Sequence, residues 1–182
     1  MKLPTAAREW PLLECLIAEK WQDTAQISQV LIARNAPGGR IAVGSFVVDL
    51  GCLGVKNTMS HVFESDYEYR QVRGSFLFRQ SMVPCDLNLA AKVIAEAVAY
   101  ARSLGFEPHR DYRRAVPILG DANPHECRVT IPLGGQEGKP LFFAGPYDNV
   151  ARVIATLDQS VGPDGYHLLV PLEDDRDAFP DI

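Results

Sequence analysis

The stretch QISQVLIARNAPGGRIAVGSFVVDL, residues 26–50, decides the fold class. Its first part alternates between polar and apolar residues and then becomes apolar. Its second part is rich in β-branched and aromatic residues, as β-strands are. Between the two parts, Pro37, Gly38 and Gly39 supply the backbone dihedrals of a tight reversal. The stretch therefore predicts an antiparallel hairpin, which argues against a doubly wound parallel sheet.

The clearest other element is a helix that starts after residue 86. Asp86 is a suitable N-cap, Gly105 a suitable left-handed C-terminal residue, and Pro108 prevents continuation. The apolar positions recur at helical spacing along one face: Leu87, Ala90, Val93, Ile94, Ala97, Val98 and Ala101. This pattern predicts a long central packing helix.

The remaining segments complete the predicted order of elements. Residues 12–18 predict a first strand, residues 55–72 a helix, residues 76–78 a short strand, and residues 105–126 a long irregular loop. A second hairpin is predicted from residues 128–133 and 141–144, then a helix over residues 148–157 capped by Asp148, and a last strand over residues 166–170.

This order predicts an α+β fold in which antiparallel hairpins pack against a long central helix and two shorter helices. Residues 1–172 are expected to form a single domain, divisible into subdomains 1–83 and 84–172, and residues 173–182 an acidic tail.

Composition limits the function classes. The chain has 182 residues, 47% of them hydrophobic, and a net charge of −5. A wide contact with nucleic acid or with an anionic membrane is disfavoured, because both need a basic excess. The first residues lack the apolar core of a signal peptide, and the four cysteines form no CxxC pair. A cytoplasmic location with reduced thiols is therefore expected.

The segment DLGCLGVKNT, residues 49–58, invites comparison with a phosphate-binding loop, but its spacing is GxxGxK, not GxxxxGK[ST]. Cys52 is expected to be a packed side chain and not a nucleophile. A nuclease-like carboxylate cluster would need Glu14, Asp49, Asp111 and Asp148 together, and no spacing connects them. We expect Asp49 to cap a following helix; the alternative is that it forms one wall of a site.

The segment HRDYRR, residues 109–114, is the second candidate site. Arg110, Arg113 and Arg114 could contact phosphate or carboxylate, and Tyr112 could stack on a base. His109 and Asp111 could be two ligands of a metal, although an HxD pair is a weak signal. The plainer interpretation is a solvated loop whose arginines pair with nearby acidic residues.

Three segments together resemble a family of bacterial proteins with no assigned activity: residues 47–58 (VVDLGCLGVKNT), 100–115 (YARSLGFEPHRDYRRA) and 138–149 (GKPLFFAGPYDN). The shared features are VDL-x-CLGVK at a strand end and LGF-x-PH-x-DY at a helix end. The resemblance implies a bacterial source. It also points to Asp49, Lys56, His109 and Asp111 as shared positions.

These observations lead to three functional hypotheses. The first is a non-catalytic accessory module that contacts a protein or nucleic-acid partner through Arg110–Arg114, because no complete catalytic constellation is present. The second is a metal-dependent hydrolase or nuclease using Asp49, His109 and Asp111. The third is a small-molecule or nucleotide binder at the turn of residues 51–56, which requires Lys56 to face a cavity. The sequence assigns no cofactor, metal or oligomeric state.

Overall fold

A five-stranded antiparallel sheet dominates the computed structural model, which describes residues 3–169. Its spatial order is β4-β3-β2-β1-β5, so β4 and β5 are the edges. The predicted hairpin is confirmed: β2 and β3 pair from Ala36↔Arg40 to Ser28↔Val48. The strands are β1 (Leu12–Ala18), β2 (Ser28–Ala36), β3 (Arg40–Asp49), β4 (Gly54–Phe63) and β5 (Met82–Pro84).

Helices and a small second sheet complete the fold. The α-helices are α1 (Asp66–Arg79), α2 (Leu87–Ser103), α3 (Tyr112–Ala115) and α4 (Val150–Val161), and the second sheet pairs β6 (Leu141–Phe143) with β7 (His167–Leu169). Short 3-10 helices lie at Thr5–Glu9, Pro37–Gly39, Val116–Leu119, Pro124–Glu126 and Gln136–Gly138. The predicted α+β fold class is confirmed.

The two faces of the large sheet are covered by different helices. On one face, Val30, Ile32 and Phe46 pack with the buried apolar stripe of α2. On the other face, Leu31 and Val43 pack with residues of α1. This two-sided burial explains why β2 and β3 are apolar at successive positions and do not alternate strictly.

The central helix forms as predicted. The Asp86 side chain accepts hydrogen bonds from the backbone N–H groups of Asn88 (2.8 Å) and Leu89 (3.3 Å), which satisfies two free donors of the first turn. After the helix, Gly105 has a φ of 91°. Because a side chain is disfavoured at this φ, glycine suits this helix end.

The helix predicted over residues 55–72 is wrong in its first half. Residues 54–63 form β4, and the helix begins only after Ser65, whose side chain accepts a hydrogen bond from the Glu68 N–H at 3.2 Å. The predicted helix cap role of Asp49 is therefore also wrong, because a strand follows its turn. The short strand predicted at residues 76–78 is instead the end of α1.

The second predicted hairpin is also wrong. Residues 128–133 form no strand, and β6 pairs in parallel with β7 through the crossover helix α4. A parallel pair needs such a crossover, and the predicted helix and last strand supply it. Asn149, not Asp148, caps α4 by accepting from the Arg152 N–H at 3.1 Å.

Within residues 3–169, no helix is long and apolar enough to cross a membrane. The single-domain assignment and its subdomains stay a prediction. The acidic tail, residues 173–182, lies outside the described residues.

Candidate functional site

A pocket of about 400 Å³ lies where the start of β4, the loop after α2 and the N-terminal half of α4 meet. We call it the Lys56 pocket. Its volume is within the usual range for small-molecule sites, roughly 300–1,000 Å³. Its lining combines apolar and charged side chains: Leu53, Val55, Lys56, Gly105, Phe106, Glu107, His109, Asp148, Asn149, Arg152, Val153 and Thr156.

Lys56 reaches this pocket from an irregular point of the edge strand. Val47 pairs with Asn57 and Val48 pairs with Val55, so Lys56 is an extra residue without a partner on β3. Such a β-bulge redirects a side chain and is common beside functional sites. The Lys56 ammonium donates to Asp148 Oδ2 at 2.6 Å, and both side chains are mostly buried, with 19% and 12% exposed.

The loop after α2 brings His109 to the same pocket. The His109 backbone N–H donates to the Val55 carbonyl oxygen at 2.8 Å, which fastens the loop to β4. The Asp111 N–H donates to His109 Nδ1 at 3.3 Å. In the neutral ring this contact places the proton on Nε2, so the imidazole has one donor left for a ligand.

The two carboxylates that line the pocket are both paired with a cation. Asp148 neutralises Lys56, and Glu107 pairs with Arg102 at 3.1 Å. Arg152 makes no ion pair within 4 Å to any residue of the described range 3–169. The positive end of the α4 dipole lies on the same side, because Asn149 and Arg152 both line the pocket. An anionic group fits this arrangement.

Asp49 lies in the turn between β3 and β4 and is 4% exposed. Its Oδ1 accepts from the N–H groups of Gly51 (2.8 Å) and Cys52 (3.0 Å). Burial raises the pKa of Asp49, while these bonds and the nearby Lys56 charge oppose the rise. Asp49 is not among the residues that line the Lys56 pocket.

The turn itself serves packing. A Cβ added to Gly51 would lie 2.3 Å from the Leu141 carbonyl oxygen, so only glycine lets β6 approach here. Cys52 is fully buried, and burial raises the pKa of its thiol. The prediction of a packed Cys52 is confirmed.

Two arginines and the histidine of residues 109–114 lie around the Asp111 carboxylate. Arg114 Nη1 lies 2.7 Å from Asp111 Oδ1, Arg110 Nε lies 3.9 Å from Asp111 Oδ2, and His109 Nδ1 lies 4.0 Å from the same oxygen. The Arg110 side chain is 89% exposed, and Arg113 is exposed as well. The Tyr112 ring instead packs edge-on against Phe46, which occupies one side of the ring predicted to stack on a base.

No group of three or more His, Cys, Asp or Glu side chains suited to a metal ion occurs among residues 3–169. Glu14, one of the four carboxylates considered for a nuclease cluster, is bound by Arg73 at 2.6 and 2.8 Å and by the Tyr69 hydroxyl. The metal-dependent hydrolase remains a prediction without a metal cluster in this part of the chain.

Sequence reasoning singled out Lys56 and His109 but did not join them. It missed Arg152, and it assigned Asp148 to a helix cap when that carboxylate binds Lys56. The separation of 92 residues between Lys56 and Asp148 left no local signal for the pair. One signal was available for Arg152. On the helix predicted over residues 148–157, residues 148 and 152 are one turn apart and lie on the same face.

Comparisons with protein-family models, with curated proteins and with solved structures found no match to this chain. The resemblance carried by residues 47–58, 100–115 and 138–149 therefore stays a prediction, as does the bacterial source.

Proposed function

We propose that this protein is a binding module for a small organic anion, a phosphate or a carboxylate, held in the Lys56 pocket. The observation that carries the proposal is the position of Lys56, redirected by a β-bulge into a pocket that Arg152 also lines. Arg152 offers a forked donor, and the apolar wall of Leu53, Phe106 and Val153 suits the carbon part of a ligand.

The test is a titration of the purified protein followed by amide NMR, with AMP, citrate and inorganic phosphate as separate probes. Binding is expected to shift the amides of residues 53–56, 105–109 and 148–153. A response to AMP and phosphate identifies a phosphate site, and a response to citrate alone a carboxylate site.

Matched variants separate the pocket from general charge. Arg152→Gln should weaken binding at least about tenfold, the loss of roughly 1.4 kcal/mol, because a charged hydrogen bond is removed. Arg70→Gln removes another exposed helical arginine, which pairs with Asp66 on α1 and does not line the pocket, and should leave binding unchanged. Equal losses of binding affinity in both variants, or the absence of amide shifts with every probe, would overturn the proposal.

A second candidate function is partner contact through Arg110, Arg113 and Arg114, as an accessory module within a larger assembly. The exposure of Arg110 favours it, while the ion pair of Arg114 with Asp111 reduces the free charge. Anisotropy with a labelled single-stranded oligonucleotide tests the nucleic-acid form. Affinity that falls steeply with salt, and is lost when all three arginines become glutamine, would support it. Salt-insensitive or absent binding would exclude the nucleic-acid form of this function.

A further inference from the structure

Two of the four cysteines meet across the edge of the large sheet. Cys15 lies in β1, and Cys85 follows β5 directly. The Cys85 N–H donates to the Cys15 carbonyl oxygen at 3.0 Å, which continues the antiparallel register of Leu16↔Pro84. The two sulfur atoms are 3.4 Å apart. No sequence pattern indicated this contact, because 70 residues separate the two cysteines.

We infer that Cys15 and Cys85 form a dithiol that a low-molecular-weight disulfide converts into an intramolecular disulfide. Residues directly opposite each other in an antiparallel pair have Cα atoms about 4.5–5.5 Å apart. A disulfide accepts Cα separations of about 4.4–6.8 Å. The disulfide therefore requires rotation of the two side chains and no rearrangement of the backbone. This inference is independent of the proposed ligand site.

The two thiols differ in a way that sets the order of reaction. Cys15 is buried and Cys85 is half-buried, so an oxidant reaches Cys85 first. The hydrogen bond between the two sulfurs lowers the pKa of Cys85 and, together with burial, raises that of Cys15. Cys85 is accordingly the attacking thiolate, and Cys15 the resolving thiol.

The chemistry balances in two exchange steps. The Cys85 thiolate attacks one sulfur of the small disulfide, whose S–S bond breaks and releases one thiolate. Cys15 then loses its proton to solvent and attacks Cys85 Sγ, which releases the second thiolate. The two cysteines give up two electrons and two protons, and the small disulfide is reduced to two thiols.

The test is to incubate the reduced full-length protein with oxidised glutathione, then map peptides by mass spectrometry under non-reducing conditions. The expected product links the peptides that contain Cys15 and Cys85, with no stable glutathione adduct on either residue. The thermal midpoint should rise by roughly 5–10 °C, because the bond closes a long loop.

Variants test the assigned order. Cys15→Ala should stop the reaction at a stable glutathione adduct on Cys85, while Cys85→Ala should leave Cys15 unreacted. Cys127→Ala, which removes another half-buried thiol, should still form the Cys15–Cys85 bond. Four free thiols in the treated wild-type protein would overturn the inference. So would a bond to Cys52 or Cys127, or a lasting adduct on Cys85 with Cys15 present.

Discussion

Arg34 and Lys56 are both cationic side chains beside a β-bulge of the same sheet, yet their surroundings differ. Leu13 is the extra residue opposite the Arg34 end of β2, as Lys56 is in β4. Arg34 is 4% exposed and donates to three backbone carbonyls, those of Ile118 (2.7 Å), Trp10 (2.6 Å) and Leu119 (3.2 Å). Lys56 donates to one carboxylate at the edge of a pocket.

The difference shows that one buried cation can join segments of the fold while another, paired with a single carboxylate, lines a pocket. By donating to the three carbonyls, the forked guanidinium of Arg34 joins β2 to the N-terminal segment and to the 3-10 helix Val116–Leu119. No carboxylate lies within 4 Å of Arg34 among residues 3–169, and burial lowers its pKa. Lys56 donates to a single carboxylate, so its removal should cost less stability than the removal of Arg34.

The largest effect is expected for Arg34→Met. The variant leaves three carbonyls in the interior without their charged donor, so unfolding should become easier by about 3–5 kcal/mol. Lys56→Met should lower the stability by less, about 1.5–3 kcal/mol, because it removes one charged hydrogen bond from a mostly buried carboxylate. Urea denaturation measures both, and equal losses would break the contrast between the two cations. Arg34→Lys, which keeps the charge but not the fork, should fall between them.

Gly120→Ala should have the next largest effect. Gly120 has φ 65° and ψ −123°, and an added Cβ would lie 2.3 Å from Arg34 Nη2. We expect a loss of about 2 kcal/mol or more. The control is Gly38→Ala, where φ is 77° but no atom lies within 4 Å of the added Cβ, so the loss should be about 1 kcal/mol.

A double substitution separates backbone strain from the contact with the guanidinium. In an Arg34→Ala background, the loss caused by Gly120→Ala should shrink but stay above that of Gly38→Ala, because the Arg8 carbonyl oxygen also lies 2.8 Å from the added Cβ. An unchanged loss would mean that the backbone conformation and the Arg8 carbonyl, and not the Arg34 guanidinium, require glycine at this position.

Local signals explain which elements the sequence could predict. The hairpin of β2 and β3 and the helix α2 are marked by turn residues and by the Asp86 cap. The strand β4 was missed because the bulge at Lys56 breaks its alternation. Val55, Met59, Val62 and Phe63 then also fit helical spacing.

The candidate site was predicted only in part, because its contacts join residues that are distant in the chain. Lys56 and His109 were named on their own chemistry, but their shared pocket depends on the hydrogen bond from His109 to Val55. The role of Arg34 had no signal at all, since a single arginine within an apolar strand does not reveal that carbonyls of a later loop will surround it.

The ion pair of Lys56 with Asp148 should contribute a smaller free energy than the Arg34 contacts. A double-mutant cycle of Lys56→Met and Asp148→Asn is expected to give a coupling free energy of about 1.5–2 kcal/mol, more than an exposed pair gives, since both side chains are mostly buried. Asparagine retains an oxygen that can accept from the Gly145 N–H, which donates to Asp148 Oδ2 at 2.9 Å. A value above about 3 kcal/mol would place this pair among the main supports of the fold.

The smallest effect at neutral pH is expected for Asp49→Asn, and its sign should depend on pH. Burial raises the folded pKa of Asp49 above the ordinary 3.8, so the folded chain binds this proton more tightly than the unfolded chain. The protonated Asp49 therefore contributes stability that is complete below pH 3.8. This stability is lost as the pH rises through the folded pKa. Asparagine does not titrate and can still accept from Gly51 and Cys52.

The free energy of unfolding of Asp49→Asn, minus that of the wild type, should therefore increase with pH. Urea midpoints measured from roughly pH 3 to 8 give this difference. A difference that decreases with pH would mean that Lys56 keeps the Asp49 carboxylate ionised in the folded chain. The Lys56 end of the sheet would then hold a compensated pair of charges, in contrast to the Arg34 end, where the cation donates to three backbone carbonyls.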